Sequence, residues 1–178
     1  MLSRVLNSFC RSDRLRVVCC ALLLLALPCA AAAAKLAVNE PAPDFALKSS
    51  TGKNLRLSEY RGDVVLLNFW TQSCGRCREQ LDRLESLFQA HRNTGFMVIS
   101  VAVVDQPRHA QEIADRLNLS FPIWYDERKA AVQLYDPRTM PLTVLIDAHG
   151  RVREIHTGYR RGDEATYAEQ LLALLAEE

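Results

Sequence analysis

Beyond its first 34 residues the chain holds only two cysteines, Cys74 and Cys77; the other four, Cys10, Cys19, Cys20 and Cys29, fall in the leader. The remainder can form one internal disulfide and no more. A structural zinc site needs four ligands. His91, His109, His149 and His156 supply neither a second cysteine pair nor a close histidine pair, which leaves a zinc reading of Cys74 and Cys77 without its other half. Excess charge is also lacking, with 22 Lys and Arg against 21 Asp and Glu, and nothing suggests a nucleic-acid partner. There is no internal repeat, and no low-complexity run except the alanines at 30–34.

What is present begins with a leader. Residues 1–16 carry Arg4, Arg11, Arg14 and Arg16 against Asp13, residues 17–27 are apolar and leucine-rich, and the alanines that follow offer an Ala-x-Ala cleavage site before Lys35. This reads as a secretory signal peptide. The competing reading is an uncleaved anchor, because residues 17–34 are uncharged and approach the ~20 residues a span requires, although Pro28 and the alanines weaken it. Cys29 invites a lipid less readily, since Pro28 stands where such signals have a small residue. Under each version the positive flank stays inside and the domain is exported. Without the leader, acidic residues outnumber basic ones by two.

Residues 35–43 read as a short extended linker ending in Pro41-Ala42-Pro43, followed by a single domain over 44–178. Residues 44–47 and 55–57 form a hairpin pattern around Ser50-Thr51-Gly52-Lys53. Val64–Trp70 is a β-branched and aromatic run with the character of a buried strand, and 78–91 places Leu81, Leu84, Leu87 and Phe88 at helical spacing. A second buried strand is expected over 96–103 and a helix over 106–117. A short apolar segment at 121–124, one or two helical turns at 129–135, a hairpin of 142–146 with 152–156 about Asp147-Ala148-His149-Gly150, and a closing helix from Asp163 complete the pattern. Trp124 and Tyr125 read as core or groove lining. Alternating strands and helices predict an α/β layer fold with a parallel component in its sheet.

The chemistry centres on Cys74-Gly75-Arg76-Cys77, where a strand turns into a helix. A disulfide that acts as a staple usually closes a long loop, whereas this one spans a single turn, which favours a redox-active pair. A thiol at a helix N-terminus faces unpaired backbone N–H groups and the positive end of the helix dipole, both of which favour thiolate. Cys74 is therefore the candidate nucleophile. A spacing of three puts Cys77 one turn on and roughly on the same face, as the resolving thiol.

Residues 39–158 resemble the TlpA/ResA type of thioredoxin-like protein. The resemblance is carried by APDFALKSSTGKNLRLSEYRGDVVLLNFW at 42–70, the Cys-x-x-Cys pair, FPIWYD at 121–126 and MPLTVLIDAHGRV at 140–152. It implies a thioredoxin fold, with a central mixed β-sheet flanked by helices, an N-terminal β-hairpin extension and an inserted βα-type segment. It also implies an exported, often membrane-tethered thiol–disulfide oxidoreductase, commonly a reductase, for example in cytochrome c maturation. Clients would be protein disulfides or dithiols, a membrane thiol reductase the electron donor, and no cofactor or metal is needed beyond the cysteine pair. Met140-Pro141 matches the family's cis-proline site; with Trp70 it is expected to line the client site, where a backbone corner can pair with a client strand.

Three departures from the family stand out. Ser73 occupies a usual tryptophan position, removing a cover over Cys74. Arg76 replaces the usual proline, and a cation there favours the Cys74 thiolate and makes the disulfide a stronger oxidant, unless water screens it. Asn68 and Gln80 are amides where thioredoxin has a buried aspartate and many relatives a glutamate, and an amide cannot take the Cys77 proton as a general base. Glu79 is expected to point around the helix as a surface residue. Two other functions remain open. Thr71-Gln72-Ser73-Cys74 matches a peroxiredoxin Thr-x-x-Cys pattern, although Leu67 stands where that family has proline. A redox-inert binding module using the cis-proline groove is the other.

Overall fold

The computed structural model describes residues 36–177. The leader expected over 1–34, as signal peptide or anchor, lies outside the described residues. Among the described residues no helix is long and apolar enough to cross a membrane.

Seven strands form one mixed sheet: β1 (Ala46–Ser49), β2 (Asn54–Arg56), β3 (Val64–Trp70), β4 (Phe96–Ala102), β5 (Ile123–Tyr125), β6 (Leu142–Ile146) and β7 (Val152–Thr157), in the order β2-β1-β5-β4-β3-β6-β7. The helices are α1 (Gly75–His91), α2 (Pro107–Arg116), α3 (Ala130–Tyr135) and α4 (Asp163–Leu175), and a 3-10 turn covers Leu57–Tyr60. β3 runs parallel to β4 and antiparallel to β6. All seven residues of β3 are buried, as its unbroken apolar run predicts for a strand covered on both faces.

The alternation along β3 divides the core. Val64, Leu66 and Trp70 pack with Leu81, Leu84 and Leu87 of α1 and with Tyr167, Leu171 and Leu174 of α4. Val65, Leu67 and Phe69 face the other way, into Phe45, Trp124 and Tyr135, where the Phe69 and Tyr135 rings lie 4.8 Å apart. Each such aliphatic side chain, fully buried, contributes about 1.5–3 kcal/mol relative to leaving it in water. Asn68, at an even position of β3, belongs to the α1 face. That face carries the candidate chemistry.

One expectation needs correction and one is sharpened. Residues 36–43 are not a free linker: Asn39 N donates to Val152 O at 2.7 Å, Val152 N to Glu40 O at 2.9 Å and Ala42 N to Gly150 O at 3.0 Å, which binds the segment to the β6–β7 hairpin. Backbone pairing there satisfies groups at the outer edge of the sheet that water would otherwise cover. The short apolar stretch at 121–124 also hides a strand, since β5 joins β4 in parallel and β1 in antiparallel fashion, with Trp124 fully buried and Tyr125 nearly so.

Candidate active site

α1 begins earlier than the apolar periodicity indicates, at Gly75 rather than 78, because Cys74 caps it. Cys74 has an extended backbone, φ −86° and ψ 104°, and its Sγ accepts the backbone N–H of Cys77 at 3.1 Å. A sulfur thus takes the place of the serine, aspartate or asparagine oxygen that usually satisfies an orphan N–H at a helix start. No acidic side chain stands in the first turn to offset the positive end of the dipole.

Cys74 and Cys77 are joined as a disulfide with Cα atoms 5.2 Å apart. The two sulfurs are unequally placed: Cys74 is half-buried at the rim, between exposed Ser73 and Gly75, whereas Cys77 has no accessible surface. The Met140–Pro141 peptide bond is cis. Phe69 of β3 pairs with Leu142 of β6, so Pro141 falls at the level of Trp70, where β3 gives way to the cysteine turn. Pro141 is buried and Met140 half-buried, and Pro141 O accepts the N–H of Gly158 at 2.7 Å.

Trp70 does not join these residues at the surface. It is fully buried among the α1-side core residues, and its indole Nε1 donates to Ser100 Oγ at 2.8 Å. The expectation that it lines a client groove is corrected: in a strand buried on both faces, the last aromatic residue has no solvent side to turn to.

Beneath the pair lies a closed polar network. Asn68 Nδ2 donates to Gln80 Oε1 at 2.7 Å and to Thr143 Oγ1 at 3.2 Å, while Gln80 Nε2 donates to Thr143 Oγ1 at 2.9 Å and to the Tyr167 hydroxyl at 3.2 Å. All four residues are essentially inaccessible. Asn68 Oδ1 is left without a hydrogen-bond partner. Burial pushes the Tyr167 phenol above its ordinary range, so the hydroxyl stays protonated and the whole network is neutral. Gln80 sits one helical turn after Cys77, where side chains three apart are neighbours.

Arg76 is exposed and makes one long hydrogen bond, Nη1 to Tyr159 O at 3.4 Å. Glu79, expected at the surface, is there, in an ion pair with Arg161 at 2.7 Å. Arg78 donates to Gln72 O at 2.7 Å, holding the turn that leads into the pair. Tyr167, Arg160 and Arg161 carry no mark in the sequence pattern. The one signal for Thr143 is a polar residue interrupting an apolar strand, as Asn68 does in the adjacent strand.

A mixed sheet with a one-turn disulfide at the start of the helix that follows its central strand, facing a cis proline, defines a thiol–disulfide oxidoreductase of the thioredoxin fold. Residues 38–155 match the AhpC/TSA family. The chain is 34% identical over 123 residues to the thiol-disulfide oxidoreductase ResA of Geobacillus thermodenitrificans, covering 69% of this chain and 71% of that protein. The ResA protein of Geobacillus kaustophilus is 35% identical over the same shares. Among solved structures, a protein described as a putative thiol:disulfide interchange protein DsbE from Chlorobium tepidum superposes with a TM-score of 0.76 at 32% identity, covering 79% of this chain and 99% of that one. The chain belongs to the AhpC/TSA family and within it to the TlpA/ResA type of thiol–disulfide oxidoreductase.

Proposed function

We propose that the protein acts in an exported compartment as a reductase of client-protein disulfides, with Cys74 as nucleophile and Cys77 as resolving thiol. The observation that carries the assignment of roles is the asymmetry of the pair: Cys74 Sγ stands at the rim and accepts a helix N–H, while Cys77 is enclosed. The Cys74 thiolate attacks one sulfur of a client disulfide, and the other client sulfur leaves as a thiolate. Cys77, deprotonated, then attacks Cys74 Sγ. The Cys74–Cys77 bond forms, the second client sulfur leaves, and two electrons have passed from the protein to the client. Met140 and Pro141 flank the path by which a client segment would reach Cys74, in keeping with a backbone-pairing mode of recognition. Apocytochrome c disulfides are one client class that fits this chemistry, and a membrane thiol reductase is the donor that would reset the pair.

The arginine-bearing leader, followed by an apolar run and small residues, supports export. In intact cells producing the full chain, a membrane-impermeant maleimide should label Cys74 without lysis, with most of the protein in the dithiol form. A C74S/C77S variant provides the blank. Labelling that needs lysis would refute export, and labelling that needs prior reduction would identify an oxidase.

Arg76 supports a modest tuning role, since it lies between the two cysteines, next to Cys77 and two residues after Cys74, yet is exposed. An exposed charge acts with about 0.5–1 kcal/mol. At two electrons that corresponds to about 10–20 mV. Because the cation favours the thiolate and so the reduced pair, R76A should lower the potential by that amount in a glutathione titration at low salt, and the difference should shrink at high salt. An unchanged potential would remove Arg76 from the site.

A further inference from the structure

We infer that the cleft at the first turn of α1 is a binding surface for acidic side chains that flank the client's cysteine, a reading that rests on the reductase function above and names its substrate class. The cleft, of about 300 Å³, is lined by Arg76, Glu79, Tyr159, Arg160 and Arg161. Arg76 lies in the first turn of α1, the helix that Cys74 caps, so one wall of the cleft belongs to the same turn as the reacting cysteine.

Three guanidiniums line this space with one carboxylate, and that carboxylate is occupied: Glu79 is held by Arg161 at 2.7 Å. The neighbouring acids, partly exposed, already have donors of their own. Asp163 Oδ2 accepts the N–H of Arg160, and Glu164 Oε2 accepts the N–H of Gly162 and the Tyr159 hydroxyl, all at 2.8–2.9 Å. Their oxygens satisfy backbone donors at the start of α4 and are not spent on Arg76 or Arg160. Arg160 is exposed and its side chain has no hydrogen-bond or ion-pair partner among the described residues, while Arg76 has only its long contact with a carbonyl. Two planar forks open to solvent therefore share this cleft, and one of them, Arg76, stands in the turn that follows the nucleophile. Such forks match a carboxylate bidentately.

The far rim has the same sign. Arg78 and Arg116 line a second depression with Glu112, Gln72 and His109, on the other side of the helix start. This concentration of positive charge occurs in a chain whose residues after the leader carry an acidic excess. A local field of sign opposite to the whole steers acidic partners towards this face and raises their encounter rate.

The test uses the full chain, reduced, with three synthetic peptides that share one disulfide ring and differ only in the flanking residues: glutamates, glutamines or lysines. Stopped-flow rate constants should fall in that order, with about a tenfold span between the first and last at low salt and about twofold at 0.5 M. R160A breaks no ion pair and should reduce the span severalfold. R92A, at the opposite end of α1 and about 25 Å away along the helix axis, should leave it intact. Equal rates for the three peptides, or an undiminished span in R160A, overturns the surface while leaving the reductase standing. Failure to reduce any peptide, and failure with uncharged hydroxyethyl disulfide, overturns both.

Discussion

Cys77→Ser will arrest the protein as a covalent adduct, joined to its client through Cys74 and released by dithiothreitol. The expectation follows from the unequal placement of the two sulfurs. The client disulfide can reach only the half-buried Cys74, whose Sγ accepts the Cys77 N–H at 3.1 Å and so is prepared to carry negative charge. That first attack does not require Cys77. The second does, since among the described residues no other cysteine stands near enough to displace the client from Cys74. A serine hydroxyl remains protonated at neutral pH and is a far weaker attacking group. Turnover with a protein disulfide should fall by on the order of 10³-fold or more in both single variants, because the two thiols act as a unit. The variants differ in what accumulates: Cys77→Ser yields the adduct on a non-reducing gel, and Cys74→Ser yields none. Equal trapping by both would reverse or erase the roles assigned here. The serine also leaves a hydroxyl in an enclosed apolar site, at about 1–3 kcal/mol if it finds no partner. A modest loss of stability in that variant is thus expected and is separable from the trap.

The elements that were legible in the sequence are those whose signal is carried by side chains in one stretch. β3 is an unbroken apolar heptamer, α1 repeats leucine at 81, 84 and 87, and the Asp147–Gly150 turn has glycine at φ 78°, a backbone state that favours it. What stayed hidden depends on groups without a side-chain pattern or on distant partners. The start of α1 was displaced because a cysteine sulfur performs the capping and Gly75-Arg76 add no apolar period. The segment at 36–43 docks through backbone atoms, which composition does not reveal. The burial of Trp70 is not legible from alternation, which is uninformative in a strand buried on both faces. Gln80 could be placed beneath Cys77 from its spacing alone. Its partners Thr143 and Tyr167, 63 and 87 residues away, needed the fold to bring β6 and α4 against the same helix. The ion pair of Glu79 with Arg161 spans 82 residues and was equally out of reach.

Gln80→Glu will change both the pH dependence of stability and the rate of client release. In the wild type the network of Asn68, Gln80, Thr143 and Tyr167 contains no group that ionises near neutrality. A carboxyl at this position is inaccessible to water, so desolvation raises its pKa, by roughly 2 units if the Asn68 amide and the two hydroxyls rotate to donate to it. Below the unfolded glutamate value of about 4.3 both states hold the proton and the substitution costs little. Between that value and the raised folded value the native state binds more protons than the unfolded one, so stability falls as pH rises. Above the folded value the loss is complete, at about 3 kcal/mol for a 2-unit shift. The same range of pH should bring a gain in chemistry. An ionised carboxylate one turn from Cys77 can take its proton, which an amide cannot, and a positioned base typically contributes ~10²-fold. Release of a preformed mixed disulfide, followed by rapid quench, should therefore accelerate along a curve that rises through the new carboxyl's titration. The wild-type rate should follow only the cysteine itself. If urea melts show the pH-dependent loss of stability but release keeps the wild-type profile, the amides in this network hold the fold and have no bearing on how fast Cys77 acts.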